Sequence, residues 1–245
     1  MKTKTNIFML FLVIYFPLTS ISQKYSLDAY EFPVKPGTQE WAQFETTYEI
    51  IDALEIPETI LHNISTKGLV ETCLTYPLLG DVLFFRTYQI GFKTVLERFN
   101  GYKEIMERSD AGDVLLDLYN KSINNDELIV QDSQFPRVFE RFSIVMLLAQ
   151  EEILNQFTEK EKILQCKMIA EDFKHNIETF GFIEKSSSCF LITRLLVSLN
   201  DVDFIEVLNK NLNYVDFVQQ GANLYGKSLD DLLKISVEIV GVNYK

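Results

Sequence analysis

A histidine set between two carboxylates at helical spacing is the sharpest chemical pattern in this chain. Glu171, His175 and Glu178 stand at i, i+4 and i+7, which puts all three on one face of a helix. An imidazole with two carboxylates suits a divalent metal. The neighbours favour a plainer role. Lys167 and Lys174 share the surroundings, and the opposite face carries Ile163, Cys166, Ile169, Phe173, Ile177 and Phe180 in step. A solvated face with i,i+4 pairing accounts for these residues without a metal. A two-metal bundle needs a second Glu-x-x-His helix, and the chain has 2 histidines. Glu171, His175 and Glu178 are therefore metal candidates in a sequence that demands no metal and no cofactor.

Other residues with chemical potential are weaker. His62 has the pKa range of a general base, but no Ser or Cys nucleophile is tied to it, and a capping or surface role fits its place between Leu61 and Asn63. Ser186, Ser187, Ser188 and Cys189 lack the Gly-x-Ser-x-Gly elbow and a preceding strand, so helix capping by Ser187 or Ser188 is expected. Residues 221–228, GANLYGKS, fit the phosphate-loop pattern letter for letter. That loop works between a buried strand and a helix, and the surrounding residues carry a helical pattern with no parallel sheet. The expected roles are Gly221 as a helix C-cap and Ser228 as an N-cap. Asn63 and Asn120 each begin an Asn-x-Ser triplet, read as incidental. No catalytic residue is assigned.

The elements that would position these groups are helices. A helix is expected from Thr38 through Trp41, Phe44 and Tyr48 to Ala53. Pro57 starts a short one, and Ser65 caps another that Pro77 stops. Phe84, Tyr88, Phe92, Val95 and Phe99 recur at three- and four-residue steps, and Asn100-Gly101 closes that helix. A short helix at 102–108 follows, and Asp110 caps the one after it. Residues 122–134 are polar and turn-rich and mark the boundary between two halves, with Leu128, Ile129 and Val130 a stray strand or a packed loop. Pro136 opens a helix reaching about Phe157. Thr158 and Glu161 form a capping box for the next helix, which Gly181 ends. The segment from Cys189 to Leu199 is apolar nearly all round and is expected at the centre. Asn200-Asp201 turns the chain, Gly221 ends a further helix, and an amphipathic last helix closes at Gly241. The class is all-α: an irregular helical array, with HEAT-like stacked pairs as the ordered alternative.

Bulk composition narrows the role. The formal charge of the whole chain is −12. A field of that sign repels phosphate backbones, so nucleic acid is excluded as a partner class. Lys2 and Lys4, the apolar run 7–16, Pro17 and the small residues Ser20 and Ser22 read as a signal peptide cut after Ser22. The run is too short for a membrane span, which needs roughly 20 apolar residues. The expected layout is a leader at 1–22, an extended arm at 23–37 set by Pro33, Pro36 and Gly37, helical halves at 38–121 and 135–245, and one continuous domain. Cys73, Cys166 and Cys189 sit among apolar residues without a CxxC or a zinc spacing. Buried small hydrophobes are expected, with one disulfide as the alternative.

The first half carries longer recognisable wording. Residues 33–37 with Trp41, residues 56–81 (IPETILHNISTKGLVETCLTYPLLGD), Gly91-Phe92 and residues 99–116 (FNGYKEIMERSDAGDVLL) make up the match. Over residues 33–120 the chain resembles an uncharacterised family of exported bacterial proteins. That resemblance implies export and a helical first half, and no catalytic residues.

Three expectations follow. An exported acidic helical protein with no visible chemistry fits a protein- or peptide-interaction module, which should present an exposed groove or apolar patch. A small-ligand binder or enzyme would assemble a closed polar pocket from distant helices. A structural envelope protein would be held through its arm at residues 25–37.

Overall fold

The computed structural model describes residues 26, 28–123, 134–176, 178–222 and 224–244. The leader, the expected strand at 128–130 and Ile177 lie outside the described residues. Among the described residues there are thirteen α-helices, two 3-10 helices and no strand. The class is all-α, and no helix of the described residues is long and apolar enough to cross a membrane.

The N-terminal arm is laid along α3 (Thr66–Leu74), and α3 owes its start to the arm. Ser65 caps it by accepting from the Gly68 N–H (3.0 Å). Asp28 then receives the Ser65 N–H at 2.6 Å and the Ser65 hydroxyl at 3.0 Å. The Tyr30 N–H donates to Thr72 Oγ1 (2.8 Å), and the Ser26 N–H donates to the buried Glu71 carboxylate. Phe32 is buried at the end of this strap. The arm is thus committed to the body of its own chain.

α1 (Thr47–Ala53) and α2 (Glu58–Leu61) precede α3. The single helix expected from Thr38 is two pieces. Thr38 Oγ1 accepts from the Trp41 N–H (3.2 Å) and caps the 3-10 turn Trp41–Gln43. A capping box of Thr46 and Glu49 then starts α1 afresh. Pro57 sits as the N-cap of α2, as expected.

The periodic stretch at 83–99 is also divided. A 3-10 helix, Leu79–Phe84, ends in extended backbone at Phe85, and Thr87 caps α4 (Tyr88–Leu96) through the Ile90 N–H (3.2 Å). Asn100 and Gly101 do not close α4 but begin α5 (Asn100–Glu107). Asn100 is tied to a distant backbone, accepting from the Ile56 N–H (3.1 Å) and donating to the Ile56 carbonyl (2.8 Å). Gly101 is there for space: a Cβ would lie 2.7 Å from the Phe99 ring and 2.9 Å from Ile56.

α6 (Ala111–Ile123) follows Asp110, and α7 (Gln134–Leu148) crosses from the first half to the second. α7 packs on α3, α4 and α6 on one side and on α10 on the other. Its residues from Phe142 to Ala149 are buried, so the boundary expected near 122–134 does not divide the core. α7 stops short of Phe157 because Gln150 turns extended; its amide donates to the Met146 carbonyl (2.6 Å) and pairs with Gln89 (2.7 Å). A short α8 (Glu151–Leu154) follows.

The second half is built round one helix. α9 (Glu159–Asn176) starts with Thr158 and Glu161 in their capping roles. α10 (Phe182–Ser198) touches α7, α9, α11 (Val202–Asn209), α12 (Leu212–Gln220) and α13 (Gly226–Asn243). A hub of that kind differs from a solenoid, where each repeat meets only its neighbours. Its central position follows from the segment from Cys189 onward, which is apolar nearly all round apart from Arg194. Burying each Leu or Phe there stabilises the fold by roughly 1.5–3 kcal/mol.

Several caps differ from expectation. Gly181 precedes α10 instead of ending α9, and Glu184 receives its N–H (2.6 Å). Ser187 and Ser188 therefore lie inside α10 and are buried. Ser228 is within α13, and Gly241 is too, with the helix running on to Asn243. Gly221 does end α12, in the left-handed region at φ 59°.

The C-terminus is locked to the start of α11. Asp201 caps α11 by accepting from the Phe204 N–H (2.9 Å). It also accepts from the Asn243 amide (3.1 Å) and the Tyr244 hydroxyl (2.8 Å). Burial pushes its carboxyl up, but these donors outweigh it and hold the group below its ordinary 3.8. Stability from this lock is full above that ordinary value and is lost as pH falls through the lower folded-state value. Asp201→Ala should cost roughly 1–2 kcal/mol at neutral pH. In urea titrations its deficit against wild type should shrink as pH falls below 3.8.

Candidate functional site

A run of exposed apolar side chains lies where the 3-10 helix Leu79–Phe84 leads into α4. In a 3-10 helix residues three apart eclipse each other. Leu79 and Val82 accordingly face inward and are buried, while Leu83 and Phe84 turn outward. Phe84 is 86% exposed. A longer α-helix would have carried a full buried stripe; a six-residue 3-10 turn cannot.

The turn is held tightly against α4 at a glycine. A Cβ on Gly91 would come within 3.0 Å of the Val82 Cα and nearer still to its carbonyl oxygen. That close approach opens a groove of about 310 Å³ between α1, the turn and the C-terminal end of α4. Ile51, Leu78, Phe84, Phe85 and Val95 supply its apolar walls. Tyr48, 69% exposed on α1, extends the apolar surface beyond it.

Besides Thr47 and Thr94, three ionisable groups stand on the groove walls: Tyr76, Asp81 and Arg98. The Tyr76 ring is 4% exposed and stacks on Phe99 with centroids 4.1 Å apart. Burial pushes its hydroxyl up to about 12; Asp81 adds to the shift and Arg98 opposes it. Burial likewise raises the Asp81 carboxyl. The Arg98 guanidinium lies over the Tyr48 ring, 5.9 Å from its centroid. Among the described residues none of the three side chains forms a hydrogen bond or an ion pair with the chain. An apolar slot with a few convergent polar groups is the usual form of a binding site.

The residues singled out from the sequence are not brought together. Glu171 and His175 are on the exposed face of α9, and the His175 Nδ1–H donates to the Glu171 carbonyl (2.8 Å). Glu178 lies in the turn after the helix ends, so the i+7 relation fails. Among the described residues no three His, Cys, Asp or Glu side chains are placed to hold a metal ion. His62 is exposed at the C-cap of α2. Ser187 donates to the Glu184 carbonyl (3.2 Å), and Ser188 has its hydroxyl buried without a partner.

The phosphate-loop letters fall between two helices. α12 takes the place where the strand would stand, and Lys227 pairs with Asp231 at 2.5 Å on the surface. Cys73, Cys166 and Cys189 are free and buried, and burial raises each thiol, Cys166 to about 12. They are small hydrophobes without thiolate reactivity.

A second, mixed-charge cleft of about 520 Å³ lies beside the Gln89–Gln150 pair. Arg194, the charge that interrupts the apolar α10 segment, opens onto it. Burial lowers its pKa, while Glu151 and Glu152 nearby oppose that shift. The groove at Phe84 escaped sequence reasoning because Phe84 fitted the helical period. The signal that could have found it is the pair of breakers, Pro77 and Gly80, just before Leu83, Phe84 and Phe85.

The chain matches no family model, no curated protein and no solved structure. The groove's chemistry has to be argued from its own residues.

Gly91→Ala should force the turn off α4 and cost roughly 1–3 kcal/mol by overpacking. Gly80→Ala is the control: nothing lies within 4 Å of its Cβ position. Its cost should stay within about 0.5 kcal/mol. Denaturant unfolding of both variants measures the contrast.

Proposed function

We propose that this protein is an exported interaction module that docks a peptide segment of its partner in the groove beside Phe84. The observation that carries the reading is the pair of exposed aromatic side chains, Phe84 and Phe85, on the wall of an open apolar slot, with exposed Leu83 and Tyr48 on the same turn and on α1. Isolated exposed apolar residues are ordinary, but a contiguous set around a concavity marks an interaction surface. The formal charge of −12 favours a partner segment with basic residues around its apolar anchor.

Export is supported by the leader-like residues 1–22 and by the resemblance over residues 33–120 to exported helical proteins. The protein recovered outside the cytoplasm should begin at Gln23 on N-terminal sequencing; an intact Met1 there would overturn the reading.

The docking reading is tested with fluorescein-labelled octapeptide pools carrying one Lys and one apolar residue. Wild type should bind some pools by anisotropy. Phe84→Asp should weaken that binding at least tenfold with an unchanged melting temperature, because the side chain is already in water. Equal binding by Phe84→Asp removes the groove from consideration.

A further inference from the structure

We propose that the groove selects the carboxyl-terminal residue of its peptide, taking its apolar side chain in the slot and its terminal carboxylate on Arg98 and Tyr76. This rests on the peptide-docking reading above and narrows it to one kind of segment.

The inference comes from the polar groups the chain leaves unmatched. Two other guanidinium groups, those of Arg108 and Arg141, are engaged within the chain. Arg108 pairs with Glu104 at 3.0 Å and donates to the carbonyls of Ile64 (2.6 Å) and Leu61 (2.8 Å). Arg141 pairs with Asp172 and lies over the Phe180 ring, 5.0 Å from its centroid. Arg98 has its ring contact with Tyr48 and no acceptor from the described residues. Among the described residues Asp81, partly buried at the same groove, has no side-chain donor, and the Tyr76 hydroxyl has no hydrogen-bond partner. An open groove leaves such groups to solvent water. A ligand that expels that water must replace its hydrogen bonds or lose affinity.

The replacement required is specific. Arg98 can only donate, and the ionised Asp81 can only accept. The occupant must bring an anion to Arg98 and an N–H to Asp81, with an apolar body between them. The last residue of a peptide carries all three: a carboxylate, an amide N–H and a side chain. An internal residue offers Arg98 a neutral carbonyl, a weaker partner than a carboxylate. A fatty acid has the anion and the apolar body but nothing to donate to Asp81. The space, about 310 Å³, admits a large apolar side chain.

The test uses the purified protein and fluorescein-labelled octapeptide pools that end in Phe or Leu, carry one Lys upstream, and are made as free acids and as amides. Free acids should bind at least tenfold more tightly than amides. Arg98→Gln should erase that difference without lowering the melting temperature, since Arg98 is exposed, and Arg98→Lys should keep part of it. Acids and amides binding wild type equally would overturn the terminus assignment and leave peptide docking standing. Decanoate displacing the acids as well as a free-acid peptide does would make the occupant a lipid and also overturn it. No binding of any pool to protein with a normal melting temperature would overturn both readings.

Discussion

The stack of Tyr76 on Phe99 is the contact around which the first half is assembled. Phe32 comes from the arm, Tyr76 from the end of α3, and Phe99 and Tyr102 from the start of α5. Their rings meet edge-on or tilted at centroid distances between 5.4 and 6.1 Å, around the 4.1 Å stack itself. Such pairs add about 0.5–1.5 kcal/mol each beyond the area they bury. The Tyr102 hydroxyl is not left stranded in this cluster; it donates to the Cys73 carbonyl (2.9 Å) and ties α5 to α3. Three segments far apart in sequence thus share one aromatic centre, and no one of them is long enough to hold its place alone.

The second half solves a different problem. α10 is buried and apolar over most of its length, with Glu184, Lys185 and Arg194 only partly covered, so other helices must surround the rest of it. α7 performs that service on one side while its opposite side packs on the first half. The core is therefore continuous through both halves. The buried Arg141–Asp172 pair ties α7 to α9 within this layer, between the Tyr119 and Phe180 rings. A pair of that kind contributes little net stability, yet loss of one partner is costly because it leaves a buried charge.

What was legible in the sequence was whatever is decided locally. Ser65, Gly221 and the Thr158–Glu161 pair act as caps where their residue types and neighbours placed them, because a cap needs only a few adjacent backbone groups. The all-α class and the burial of α10 followed from periodicity and from a surface apolar nearly all round. The misplaced features are those decided at a distance. Asn100 had the look of a helix end, but its amide is bound to Ile56 across the fold. Ser187 and Ser188 had the composition of caps, yet the helix begins earlier, at Phe182, where Glu184 serves the free N–H of Gly181. The Glu171, His175 and Glu178 set failed on one residue, since the helix stops at Asn176. The groove was illegible for the same reason: Tyr76, Asp81 and Arg98 converge only once α3, the 3-10 turn and α4 are packed.

The groove and the arm are mechanically connected. Tyr76 forms part of the groove wall with one edge and part of the aromatic centre with its faces. Phe32 holds that centre from the far side, and Phe32 is in turn held by the hydrogen bonds of Ser26, Asp28 and Tyr30 to Ser65, Glu71 and Thr72. The position of the groove's one aromatic hydroxyl therefore depends on a strap that enters the fold from the start of the described chain. An arm spent on these contacts cannot also serve as a tether to another body without surrendering them, which counts against an envelope anchor at residues 25–37. The same commitment makes the arm useful where it is: it fixes Tyr76 at a wall that would otherwise rest on a short helix end and a turn broken by Pro77.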